Sequence, residues 1–507
     1  MIGGLLKSTS RVALFAAAGL LVGGVAMPSA KAADLGGDCC ADLEERVAEL
    51  EATTARKGNR KMSLTITGQV HRMVLWWDDG HSSKTYYGLD STNSSSRFLF
   101  LGSARVNPSV TMGFEIMIEV EAGGTSSKVN QFDEDGKVGN QISGTVGPGG
   151  SFNQSNVDAY FGDARRVAWW VEHKDVGRLT VGRYESAGVV QTIDLGGIGM
   201  PASSSFILLN GSFFIRGPTG QYYATTWANI GDPAANQGRT ELVRYDSPTW
   251  HGFIYSASIG EAGDYWGNML RYANEFNGVR VAAGIGYERA TDRATPATLD
   301  PTGAFWVSAL PNIQAWGFAL SAIHIPSGLF IQGHWTAVDY NEGGHIANAY
   351  WGSAGGITKK DTTHWLIQAG VSKNWFGLGN TAVYGEYGRA TDWGAESLGR
   401  NFAGSTSTAS CVVGGAGGTA NTVCSSTLQN FSAVNGVTDT ELRIWGMGIT
   451  QNVDAAASTL YLGYRNMDAD ITCTGAGATC AGAAGGAAKS LPTEQIHVIT
   501  GGAVVRF

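Results

Sequence analysis

Beyond residue 32 the chain has no stretch of eighteen consecutive apolar residues, so any passage through a bilayer must use strands. Charge is scarce, at 15% of residues, and proline supplies only 12 of 507 positions. No GxSxG, HExxH, phosphate-loop or dinucleotide fingerprint occurs, which removes the common hydrolase, zinc-protease and nucleotide-dependent classes. The nine histidines include no pair at metal-ligand spacing with a carboxylate partner, and nothing calls for a metal or cofactor. The formal charge is −8, and removing Lys7, Arg11 and Lys31 with a leader makes it three units more negative. That balance gives no support for a nucleic-acid partner.

What the chain has in quantity is glycine, at 72 residues, with 15 Trp and 17 Tyr. Many aromatics and turn formers at weak overall hydrophobicity fit many strands with one wet face. Residues 1–32 read as a signal peptide: a basic start, an apolar run from Val12 to Met27, then Ala30-Lys31-Ala32. Residues 33–60 follow as a charged segment. Within it Leu43, Val47 and Leu50 place one narrow apolar stripe on a helix over 41–54, either a lone helix or a short coiled coil.

From Met62 the period becomes two. Leu64, Ile66 and Val70 alternate with polar residues, as do Met112, Phe114, Ile116 and Ile118 with Glu115 and Glu119. The same holds for Val281, Ala283 and Ile285 against Arg280, Gly284 and Glu288, and for Trp365, Ile367 and Val371 against His364, Gln368 and Ser372. Seven short turns, from Asn107-Pro108 to Gln451–Ser458, alternate with eight long polar connections. The long ones fall near 78–95, 122–156, 184–238, 261–267, 289–312, 340–361, 389–438 and 467–492. This count predicts an all-β fold, a 16-stranded antiparallel transmembrane barrel over 61–507 with a short N-terminal helix before it. A soluble sandwich has no reason to sort its connections by length. Among the six cysteines, Cys411–Cys424 and Cys473–Cys480 are the expected loop bridges, since each pair lies within one loop and export favours oxidation.

The last stretch, IHVITGGAVVRF, alternates to a final Phe507. It resembles the closing strand of bacterial outer-membrane barrels, whose terminal aromatic is read by their assembly machinery. Four further stretches resemble the alphaproteobacterial porin family: LEERVAELEATTARKGNRKMSLTITGQV, SRFLFLGSARVNP, HKDVGRLTVGRYESAG and VRYDSPTWHGF. They cover both ends and much of the first half. The cysteine-bearing loops at 389–438 and 467–492 have no counterpart in that pattern. The resemblance implies a homotrimeric passive diffusion channel in the outer membrane of a Gram-negative bacterium, with the N-terminal segment in the periplasm. Lipid and lipopolysaccharide, the barrel-assembly machinery and a peptidoglycan contact through the N-terminal segment are the partners it implies. A substrate-selective solute or sugar channel, and a secreted β-rich adhesin, are the other readings.

Such a channel needs no catalytic residue. The resemblance to porins implies a narrowing where the third long loop folds into the lumen and its carboxylates face wall arginines across the path, setting a transverse field. The third long connection starts after Arg183, so Glu185 and Asp194 are the expected loop carboxylates. The wall candidates are Arg97, Arg166, Arg178, Arg183, Arg244 and Arg280, with Glu115 and Glu119 lining one lumen column. Parity turns Arg97, Arg166, Arg244 and Arg280 inward, whereas Arg178 and Arg183 cannot both face inward along a regular strand. Trp76, Trp77, Trp169, Tyr255, Tyr272, Trp335, Trp365 and Tyr461 read as interfacial girdles.

Overall fold

In the computed structural model the described residues are 62–120, 124–131, 164–188, 192–206, 208–220, 222–231, 239–260, 263–291, 294–296, 307–309, 312–341, 361–392, 411–414, 421–424, 428–429, 437–473 and 489–507. The leader and the helix expected at 41–54 lie outside them. Sixteen strands form one closed antiparallel ring. They are β1 Ser63–Asp78, β2 Arg97–Asn107, β3 Val110–Glu119, β4 Ala164–His173, β5 Gly177–Glu185, β6 Arg239–Asp246, β7 Phe253–Gly260 and β8 Tyr265–Phe276. β9 Val279–Ala290, β10 Asn312–His324, β11 Leu329–Asn341, β12 Asp361–Lys373, β13 Thr381–Thr391, β14 Val437–Val453, β15 Ser458–Cys473 and β16 Ile496–Arg506 complete it. Each strand pairs with its sequence neighbour, and short turns alternate with long connections where the sequence places them.

Closure is made by β1 against β16, in register from Gln69↔Arg506 to Asp78↔His497. Gly68 and Phe507 exchange backbone hydrogen bonds of 3.0 and 3.1 Å, and the Phe507 ring meets Phe98 edge-on at 5.8 Å. No barrel edge is left to template another chain. The first half of β1 pairs with β2, while its second half carries an added strand, Ser83–Asp90, over the long-loop rim.

The two faces of each strand differ as the alternation requires. Ile66, Val70, Met112, Trp169, Ile285, Trp335, Ile367, Met447, Leu462 and Val505 are exposed on the outer wall. Glu115, Arg166, Ser256, Glu288, Gln332, Gln368, Thr450 and Thr500 are buried on the inner one. Trp77 and Tyr461 depart from the girdle expected of them. Both are buried on the inner face, Trp77 against Phe213 and Tyr461 through its hydroxyl to His71 at 2.7 Å.

The interior is not empty. Phe206, Leu209, Phe213, Ile215, Trp227 and Ile230, all from the connection between β5 and β6, are buried inside the ring. They pack on Met73, Leu75 and Trp77 of β1, Leu442 and Ile444 of β14, Ile471 of β15 and Val498 of β16. Where this connection docks, the strand beneath is apolar on both faces, and in β1 the alternation gives way to the run Met73-Val74-Leu75-Trp76-Trp77. Burial on both sides removes the need for a wet face.

Candidate functional site

The inner wall of β2 to β6 gathers most of the charge. Six guanidinium groups gather there: Arg97 on β2, Arg165 and Arg166 on β4, Arg178 on β5, Arg244 on β6, and Arg239, which opens β6 with the parity of the exposed Val243 and joins the cluster through Glu185 at the long-loop rim. Four carboxylates answer them: Glu115 and Glu119 on β3, Glu185 on β5 and Asp246 on β6. Arg166 bonds Glu115 and reaches Glu185 through Nε at 2.7 Å. Arg239 Nε donates to the same Glu185 oxygen at 3.0 Å. Arg244 grips Asp246 through Nη2 and Nε at 2.8 and 3.0 Å, and its Nη1 donates to the Glu185 carbonyl at 3.0 Å. From β8, Arg271 adds a second cation to Asp246 at 3.0 Å. The Tyr184 ring lies between Arg166 and Arg244, 5.1 and 5.9 Å from their guanidinium carbons.

A register shift between Met117 and Ile118 leaves Arg165 as the extra residue opposite β3. A bulge lets neighbouring residues aim at one face. Arg165 therefore pairs with Glu119 while Arg166 pairs with Glu115. Arg97 donates to Ser94 Oγ at 2.6 Å, and Arg178 stacks on Trp170 at 4.4 Å. At the short-turn rim Arg105 and Glu172 offset each other in charge.

Two wall candidates fall elsewhere. Arg183 stands opposite Val167 and Glu241, and Val167 is exposed on the outer wall. Parity decides in favour of Arg178, and Arg183 donates outside the lumen to the Ala164 carbonyl at 3.0 Å. Arg280 keeps its inward parity but sits at the short-turn rim, half-exposed and paired with Glu275 at 3.1 Å. Arg165, Arg239, Arg271 and Asp246 were not singled out by the sequence. Arg271 was within reach of it, since Trp266 and Leu270 mark the outer face of β8 and leave Arg271 on the inner one.

The connection from Ser186 onward runs along the other side of the ring. Ala187 N–H donates to Ser258 Oγ on β7 at 2.8 Å. Gly188 passes against Gly286 of β9, where a side chain would collide with its carbonyl. Leu195 and Gly196 N–H groups donate to Gln332 Oε1 on β11 at 3.2 and 3.1 Å. Thr450 on β14 donates to the Gly197 carbonyl at 3.0 Å, Gln368 on β12 to Ala202 at 3.1 Å, and Arg465 on β15 to Ser203 at 3.1 Å. Asn93 takes the Gly199 and Met200 carbonyls, and Arg216 ends the path on Asp79 at 2.9 Å. His334 and His364 stack beside this route with rings 5.0 Å apart, and His334 Nδ1 contacts Thr192 Oγ1 at 2.5 Å. The connection also meets the segment after β3: Ser126 Oγ donates to the Leu208 carbonyl at 2.6 Å, and Gln131 exchanges hydrogen bonds of 2.9 and 2.8 Å with the Phe214 backbone.

Asp194 is therefore not a carboxylate facing arginines. It accepts from the N–H groups of Gly197, Ile198 and Gly199 at 2.8, 3.2 and 2.7 Å, and from Gln332 Nε2 at 3.2 Å. Glu185 does meet arginines, but from the end of β5, beside them on the same wall.

No protein-family model and no curated protein matches this chain. Among solved structures it is similar to a loop-deletion mutant of OmpT, an outer membrane protein of Vibrio cholerae. The identity is 11%, with 88% of this chain and 100% of that chain covered at a TM-score of 0.45. It is also similar to OmpF of Salmonella typhi, at 10% identity, 88% and 98% coverage and a TM-score of 0.42. The outer membrane channel DcaP of Acinetobacter baumannii stands at 9% identity, 90% and 100% coverage and a TM-score of 0.41. At these scores the likeness assigns neither activity nor substrate, and the architecture rests on the strand pairings of this chain.

Proposed function

We propose that this protein is a porin of the outer membrane, a passive channel for small hydrophilic solutes and ions in a Gram-negative bacterium. The observation that carries the reading is a closed ring whose outer wall is apolar and whose inner wall is polar and charged. The connection after β5 narrows the lumen by lying against β7 to β15, and the remaining passage runs beside the arginine-bearing wall of β2 to β6. The porin-like stretches around LTVGR and VRYDSP, and the terminal Phe507, support membership of the alphaproteobacterial branch. They also support assembly as a homotrimer, with residues 33–60 in the periplasm.

Reconstitution into a planar bilayer tests the channel itself. Discrete, ohmic current steps are expected, and their absence from folded protein would remove the proposal in favour of an adhesin. Liposome swelling with sugars of increasing mass then separates general diffusion from a selective channel. A smooth decline with size fits the first, and one class passing or blocking out of proportion to its size fits the second.

A further inference from the structure

We infer that the channel, if the diffusion reading above holds, favours small anions, because its charge sits on one wall and that wall is net positive. The formal charge of the whole chain is −8, which taken alone would favour cations. What a permeant ion meets, however, is the surface along its path.

One side of that path is the connection after β5. Over the described parts of 186–231 it carries only two ionisable acid or base side chains, Asp194 and Arg216. Asp194 is spent on three backbone N–H groups and Gln332, and Arg216 is spent on Asp79. The wall beneath holds Arg465 and Glu386 as a buried pair at 2.8 Å, which cancels, and the fully buried Glu288 of β9, which accepts from the Tyr265 hydroxyl at 3.3 Å. This side presents hydroxyls, amides and backbone groups.

The opposite side is the inner face of β2 to β6, where, among the described residues, six guanidinium groups outnumber four carboxylates, most of them buried against one another. Two of the arginines are partly exposed, at 28% for Arg239 and 18% for Arg165, each more so than its paired carboxylate, Glu185 at 23% and Glu119 at 11%. Both lie toward the long-loop rim, where an entering ion passes them first. Rings or rows of arginine in a narrow, low-dielectric passage raise the local concentration of anions. With no opposed carboxylates on the described parts of the loop, the field is not the balanced transverse one that the sequence suggests. It is a one-sided basic surface, suited to chloride, phosphate and small organic carboxylates.

The test is the zero-current potential of the full-length protein in a planar bilayer under a potassium chloride gradient. Chloride preference is expected for the wild type. Arg165→Gln combined with Arg239→Gln should shift the potential toward potassium. Glu185→Gln, which removes an acid from the same wall, should shift it further toward chloride. General damage to the barrel would not move the two variants in opposite directions. Potassium preference in the wild type, or potentials unmoved by both variants, would overturn the inference while leaving the channel intact. Absence of current steps would instead refute the channel reading, and this inference with it.

Discussion

Gln332 holds Asp194 and the turn behind it with both ends of one amide. Its Nε2 donates to Asp194 Oδ1 at 3.2 Å, while its Oε1 accepts from the Leu195 and Gly196 N–H groups. A wall side chain on β11 thus fixes the point at which the connection after β5 bends back on itself. Replacing Asp194 with alanine strands three backbone donors, each costing about 1–3 kcal/mol if left buried without a partner. The expected outcome is a loosened bend and altered passage of sugars near the size limit, read by liposome swelling. An unchanged swelling series would show that this bend does not set the limit.

The close approach of Gly188 to Gly286 gives a second prediction. A valine at 286 would place its Cβ on the Gly188 carbonyl, so the connection must lift away from β9. Lifted, it enters the remaining passage. Gly286→Val should lower single-channel conductance while the barrel still folds, as judged by circular dichroism.

The buried pair Arg465–Glu386 predicts a stability effect without a large change in permeation. Glu386 also accepts from Gln368 Nε2 at 3.0 Å, so its carboxylate is held from two strands. Arg465→Met leaves that carboxylate uncompensated, and breaking a buried pair costs about 3–5 kcal/mol. Urea unfolding in detergent should show the loss, and adding Glu386→Leu should recover much of it.

Cys411 and Cys424 stand directly opposite each other in a short ladder formed by Cys411–Gly414 and Asn421–Cys424. We propose the Cys411–Cys424 bridge across that register. Cys480, the proposed partner of Cys473, lies outside the described residues. Nonreducing peptide mapping should yield two separate intra-loop bridges, and cross-pairs between the loops would contradict the assignment.

The strand count was legible in the sequence because turn chemistry and period-two alternation are local properties. The same local rule oriented Arg97, Arg166 and Arg244 inward and exposed the conflict between Arg178 and Arg183, which the fold resolves for Arg178. It could not supply Arg165, since a one-residue bulge opposite Met117 and Ile118 leaves no mark in the alternation. Nor could it show that Asp194 would serve its own turn, because that depends on Gln332, far away in the chain. The doubly apolar run Met73–Trp77 did carry a signal of a covered inner face. Read as a girdle, it misplaced Trp77.

The central claim is that the open passage runs between the connection after β5 and the wall of β2 to β6. Cysteine accessibility during single-channel recording tests it directly. A cysteine replacing Arg165, which the bulge turns inward, should react with a bulky thiol reagent added to the bath, and each current step should fall. A cysteine replacing Thr450, beneath the connection on β14, should leave the current unchanged under the same reagent. Block at 450 with none at 165 would contradict the account and put the path on the other side of the connection.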